Sequence, residues 1–437
     1  MTSLSFSAPY SVLKAVPTVD LSYCSPFITY CVTYPSRYPT GDYMYKNAAF
    51  ASVASALVAG VCLMVSGCGP KAASSAIENN HDEIMKAVRS YRLSKPASAK
   101  TAEKPTAARI PLSKGAPGDS EAYFAKIRGY FQQENFDALE TEASEARTSK
   151  ERFSGGSWKI TNFYAAVMAR DVPTQSPTDA DWDSALKTLK AWATAKPNSA
   201  AARIALTNAY VGVGWKARGS GYADGVTREG WKMLHQQIGL AANALLDAAK
   251  IEERCPEWYV AMQNVALAQQ WDRSEMRALF DEAAAFEPEF YYFYQDYASY
   301  LEPRWSGAEG EAEAFAEESR LHVGGEQGDI IYFEIASYRT CWCDSDGGPI
   351  VQMSWPQIKS GYEAIDRLYG PSNYKNNRFA LMAYQFHDQM AARSALQAIE
   401  NCKDPSVWGQ GDLFEKAKAW ANSGEPEQAA SASRGGY

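Results

Sequence analysis

Beyond residue 68 the chain carries four cysteines, Cys255, Cys341, Cys343 and Cys402, and its four histidines are His81, His235, His322 and His387. Cys341-x-Cys343, with Asp344 beside it, could hold a metal if Cys402 or His387 supplied a further ligand. The spacing, however, differs from a structural zinc knuckle. In an oxidising compartment a disulfide is the better reading of the same residues, from Cys402 to either Cys341 or Cys343, with Cys255 left as a buried thiol. No metal or cofactor is assigned. The chain has no Gly-x-Ser-x-Gly elbow, no His-Glu-x-x-His and no Gly-rich phosphate cradle ending in Lys-Ser/Thr. Its many Asp and Glu residues could supply a glycosidase-like carboxylate pair, which needs two carboxyl groups converging in a cleft. Solvated helix surfaces account for them more simply. No catalytic residue is assigned, and a non-enzymatic role is expected.

One further cysteine, Cys68, carries a clearer chemistry. From Met44 the chain reads Met-Tyr-Lys-Asn, runs from Ala48 to Val65 without a charge, and ends Ser66-Gly67-Cys68. A lone Lys46 before a short apolar run and small residues is the layout of a secretory signal. As a membrane span the run is weak, because Ala, Ser and Gly dominate it. Val65-Ser66-Gly67-Cys68 resembles the lipobox of bacterial lipoproteins. The resemblance implies that the Cys68 thiol takes a diacylglycerol and becomes the new N-terminus, so that acyl chains bind the bilayer. Gly69 rather than Asp at the next position implies the outer membrane, periplasmic face, with the inner membrane as the alternative. Residues 44–67 then form the signal peptide. Residues 1–43, rich in Ser, Thr, Pro and Tyr, are either a long leader or the product of a misplaced start, Met44 being the true one. On both readings they are absent from the mature protein.

Charge divides what remains. Residues 69–118 hold nine basic and four acidic side chains, whereas 119–437 hold 31 basic and 45 acidic, a net of −14. A body this acidic repels nucleic acid and anionic lipid. From Lys95 to Asp119, Pro, Ala, Ser and Lys without aromatic residues make a flexible basic tether, so the lipidated Cys and tether span 68–119. One short helix is expected within it, around His81 to Tyr91.

The elements that must position any site are helical. Trp182, Ala185, Leu186, Leu189, Trp192 and Ala193 form one apolar stripe at helical spacing. Met276, Leu279, Phe280, Ala283 and Ala284 form another, and Tyr123, Ile127, Tyr130 and Phe131 a third. Three helix starts share a form, Pro197-Asn198-Ser199, Pro256-Glu257-Trp258 and Pro288-Glu289-Phe290, each Pro presetting a first turn. Each helix so begun ends at a Trp: Trp215, Trp271 or Trp305. The interval from Pro256 to Pro288 is 32 residues, near the period of about 34 of tetratricopeptide repeats. The interval from Pro197 to Pro256 is 59, enough for the Gly-rich loop Gly219–Gly225 and a long helix from Arg228 to Glu253. The expected fold is all-α: TPR-like stacked helical hairpins, an α-solenoid behind the disordered tether. Residues 120–325 form the TPR-like domain and 326–437 a C-terminal helical region with a disordered tail.

Trp215-Lys216-Ala217-Arg218-Gly219-Ser220-Gly221-Tyr222, Pro256-Glu257-Trp258-Tyr259-Val260 through Gln270-Trp271-Asp272, and Leu301-Glu302-Pro303-Arg304-Trp305-Ser306-Gly307 resemble an uncharacterised bacterial family with TPR-like helices. The resemblance covers roughly Asp181 to Glu318 and implies a helical-hairpin fold with no assigned activity. The residues themselves suggest where a ligand would sit. Trp215 with Arg218, Trp271 with Arg273 and Arg304 with Trp305 fall at equivalent ends of successive hairpins, with Tyr222 and Trp231 on the inserted segment beside the first, and Arg and Trp dominate binding hot spots. Arg218, Tyr222, Trp231, Arg304 and Trp305 are the ones expected at a ligand. They form a candidate groove for an acidic or carboxylate-bearing protein or peptide partner. The competing reading makes each Trp a wedge between hairpins and each Arg a helix cap or surface ion pair. The function expected is an envelope lipoprotein whose helical body binds or scaffolds. An envelope hydrolase with an Asp/Glu pair, acting on cell-wall glycan, is the alternative.

Overall fold

The computed structural model describes residues 119–168, 178–219, 223–251, 254–340, 350, 352–399, 402–409 and 411–423. Cys68 with its lipobox, the tether, Tyr222, Cys341 and Cys343 lie outside these residues. Among the described residues there are sixteen α-helices and no strands: α1 (Asp119–Gln132), α2 (Phe136–Ser149), α3 (Lys159–Val167), α4 (Asp179–Ala195), α5 (Ala200–Arg218), α6 (Arg228–Ala249), α7 (Pro256–Ala268), α8 (Arg273–Phe286), α9 (Tyr292–Tyr300), α10 (Glu311–Val323), α11 (Gly325–Arg339), α12 (Trp355–Tyr369), α13 (Asn373–Gln385), α14 (Gln389–Ile399), α15 (Pro405–Trp408) and α16 (Leu413–Asn422). The protein is an all-helical, TPR-like stack of hairpins.

Local chemistry starts these helices where it should. Thr178 and Asp272 each form a capping box, with Asp181 and Glu275 three residues on. Ser199 and Thr227 cap α5 and α6 by accepting from the N–H three residues ahead. Pro256 sits in the first turn of α7, where it has no intrahelical bond to lose. Pro288 behaves differently: it lies in a turn closed by the Phe290 N–H on the Glu287 carbonyl, and α9 begins only at Tyr292. The Arg228 helix is likewise shorter than expected. It ends at Ala249, where the Lys250 and Ile251 N–H groups turn back onto the Asp247 and Ala248 carbonyls.

Successive hairpins arrange the helices in two layers. The inner layer runs α5, α7, α9, α11, α13, each packed on the next, while α4, α6, α8, α10, α12 and α14 pack on it from outside. The outer helices carry the apolar stripes, with Leu189 and Trp192 buried on α4 and Met276, Leu279, Phe280 and Ala283 buried on α8. Inner helices are buried on nearly every side, as Ile330 to Ser337 of α11 and Lys375 to Ala383 of α13 show. One contiguous core runs from Tyr123 to Ala421. It continues through the position expected to divide two regions, residues 325 and 326, where α10 packs on α11.

Helices α1–α3 close the stack. Trp192 of α4 packs against both Phe136 and Phe163, at ring separations of 6.3 and 6.4 Å. From there the chain reaches across to α12 and α13. The turn Ser154–Gly156 donates the Gly155 N–H to the Gly370 carbonyl at 3.0 Å. Arg152 stacks over Trp158 at 3.9 Å and hydrogen-bonds the Tyr369 hydroxyl at 2.7 Å. Residues 217 apart are thereby joined.

Candidate functional site

The end of α5, the start of α6 and the turn after α9 meet at one place. Helix α5 continues a turn beyond Trp215 and stops at Gly219, whose N–H bonds the Trp215 carbonyl and whose φ is 79°, a conformation open to glycine. That stop leaves Trp215 and Arg218 on the last turn. Thr227, capping α6, places Trp231 one turn into that helix. The third element is a tight turn after Tyr300. The Ser306 N–H bonds the Tyr300 carbonyl, and the Trp305 and Gly307 N–H groups bond the Glu302 carbonyl.

These elements bring three residues of the candidate groove, Arg218, Trp231 and Trp305, together with Trp215. The Arg218 guanidinium lies 5.5 Å from the Trp215 ring centre and 5.2 Å from that of Trp231. The Trp215 and Trp305 rings meet edge to face at 5.8 Å. All four side chains are half-buried, so the cluster forms part of the surface. Arg218 also donates to the Gly219 carbonyl at 3.1 Å, which holds the guanidinium against both indoles. Arg304 is mostly exposed and turned instead to Glu302, at 2.6 Å. Glu302 in turn accepts from the deeply buried Arg339, whose other bond goes to Glu313 at 2.8 Å. Arg304 thus borders the cluster but belongs to a carboxylate network. Trp271 stands apart: it is buried, and its indole N–H bonds Gln269.

A second polar cluster was not signalled by the sequence. It lies where α3 covers α7 and α9. The Thr161 hydroxyl donates to Glu257, Asn264 donates to Asp296 at 3.1 Å, and the Tyr164 oxygen contacts the Cys255 sulfur at 3.8 Å. Burial pushes the Glu257 carboxyl up to about 7, the Thr161 hydrogen bond opposing it. Burial, reinforced by the charge of Glu257, pushes Asp296 up to about 7 as well. The Cys255 thiol is buried, as expected, and is driven up to about 12. Glu257 stands in the helix start Pro256-Glu257-Trp258. Its meaning was hidden because its hydrogen-bond partner Thr161 lies 96 positions earlier in the chain and its other neighbours come from α9, two helices on.

Residues 123–276 match the model of the domain of unknown function DUF4034. The matched stretch opens within α1 and ends in the first turn of α8. It therefore begins well before the Asp181 suggested by motif resemblance and stops short of the Arg304-Trp305 turn. Three of the four clustered residues, Trp215, Arg218 and Trp231, fall inside it. No curated protein and no solved structure matches the chain. The chain thus carries a DUF4034 domain within an all-helical hairpin stack.

Proposed function

We propose that the protein is an envelope lipoprotein, anchored through acylated Cys68 to the outer membrane on its periplasmic face, whose helical body binds a protein or peptide partner. The carrying observation is the joined surface of Trp215, Arg218, Trp231 and Trp305. Large half-buried indoles around a held guanidinium offer apolar area and planar donors at little cost in side-chain freedom, the composition of binding hot spots. An acidic or carboxylate-bearing partner suits the guanidinium and tolerates the otherwise acidic body only if it docks locally, as a short segment. No described helix is long and apolar enough to cross a membrane, so lipid attachment supplies the anchor on this reading. Glu257 and Asp296 bear on one another electrostatically, but Glu257 is only 4% exposed beneath α3, which leaves a glycan no access to it. That favours binding over hydrolysis.

The test is capture from detergent-solubilised membranes with tagged full-length protein. A specific companion should follow the wild type and fall at least several-fold with Trp305→Ala and with Arg218→Ala. Companions recovered equally by wild type and both variants would remove the cluster from the binding surface. A Cys68→Ser protein that still takes up labelled acyl chains would remove the anchor.

A further inference from the structure

We propose that the seam between α3 and the inner helices α7 and α9 is a pH-operated closure, latched by Thr161 on Glu257 and loosened as pH rises. The seam has the geometry of a latch. Helix α3 is anchored away from it through Phe163 on Trp192, and at its N-cap Trp158 meets Phe290, just before α9, at 4.9 Å. Toward α7 it makes polar contacts, those of Thr161 with Glu257 and of Tyr164 with Cys255.

The groups around Glu257 offer its negative charge little help. From α3 come Thr161 and the phenol of Tyr164; from α9 come Tyr292 and Asp296; at the N-cap of α7 lies Cys255. The charge of Glu257 raises the proton affinity of Tyr164, Cys255, Tyr292 and Asp296 alike. Arg147 of α2 bears on Tyr164 and Cys255. A protonated Glu257 can accept from Thr161 without a buried charge, whereas an ionised one must be held among these groups.

The sign follows from linkage. In an open seam Glu257 regains an ordinary carboxylate affinity, while in the closed one burial raises it to about 7. The closed state therefore binds more protons. Closure is strongest below the ordinary carboxylate range, weakens as pH climbs from there to about 7, and stays weakened above.

Cys255, 2% exposed beneath Tyr164, reports on the seam. Its alkylation rate, followed in the full-length protein by peptide mass spectrometry, should be compared between wild type and Glu257→Gln at each pH. Gln keeps an acceptor for Thr161 and carries no charge. Wild type should label about tenfold faster or more than the variant at pH 8.5, and the excess should shrink steadily as pH falls toward the ordinary carboxylate range. Removing the Glu257 charge by itself eases Cys255 ionisation and would speed the variant, so the expected order cannot come from thiol chemistry. Equal rates, or a faster variant at pH 8.5, would overturn the proposal. Should Glu257→Gln fail to fold, Thr161→Val serves in its place. It should raise Cys255 labelling several-fold at pH 6, and a wild-type rate there would equally overturn the latch.

Discussion

At the scale of single residues, the surprise is how many ionic and amide side chains lie inside. Helix α13 opens Asn373-Tyr374-Lys375-Asn376-Asn377-Arg378, a run that reads as a solvated face, yet Lys375, Asn376, Asn377 and Arg378 are all buried. Each has partners brought from far along the chain. Lys375 bonds both oxygens of Glu334 at 2.6 Å, and Asn377 accepts from the Asp404 N–H and the Trp408 indole while donating to the Asn373 and Cys402 carbonyls. A polar residue is buried only when its partners are in place, and those partners are invisible in a local stretch of sequence. Burial pushes Glu334 up and Lys375 down, and their mutual attraction opposes both. Breaking such a pair from one side strands a charge, so Lys375→Met should cost about 3–5 kcal/mol. Replacing both, Lys375→Met with Glu334→Leu, should recover most of that loss. Urea unfolding of the two variants checks it, and a double variant as unstable as the single one would mean that the pair itself stabilises the fold. By contrast Arg304→Ala, which removes only an exposed partner of Glu302, should change stability by less than about 1 kcal/mol.

At the scale of elements, the stripes on α4 and α8 were legible because each of those helices buries one face. The inner helices were harder to place, since a helix buried on every side has no periodicity to betray its contacts. Glycine marks one such contact. Gly361 of α12 sits so close to α11 that a Cβ there would lie 2.1 Å from the Asp329 carbonyl oxygen and 2.6 Å from the Phe333 Cβ. Backbone at that distance cannot rotate away, so α11 and α12 pack at a separation only glycine permits. Gly361→Ala should force the helices apart and lower stability by about 1–3 kcal/mol, despite alanine's better helix propensity. Gly239 of α6 has nothing within 4 Å of such a Cβ, so Gly239→Ala is the control and should leave stability unchanged or improved. Thermal midpoints of the two variants decide the matter. An equal response would mean that propensity rather than helix spacing governs both positions.

At the scale of the whole molecule, the repeat period and the Pro–Trp punctuation conveyed a stack of hairpins but not its closure. An ordinary solenoid joins only neighbouring repeats and can unravel from either end. Here the turn before α3 touches the junction of α12 and α13, a long-range contact with no counterpart in local pattern. It depends on Gly155, whose φ of 74° and whose missing Cβ, which would lie 2.4 Å from the Ser372 Cβ, admit no larger residue without movement. Arg152 completes the junction, held between the Trp158 and Tyr369 rings and paired with Glu289 at 2.9 Å. Joining the two ends should make α1 to α14 melt as one unit, seen as a single calorimetric transition across the boundary near residue 325. Gly155→Val should separate the ends, lowering the midpoint by several degrees and broadening or splitting that transition, while far-UV helicity at room temperature stays near wild type. Hydrogen exchange should then speed up first in α2 and α3, the helices released. If Gly155→Val instead melts as a single sharp transition at the wild-type temperature, the contact is incidental and the stack holds by nearest-neighbour packing alone.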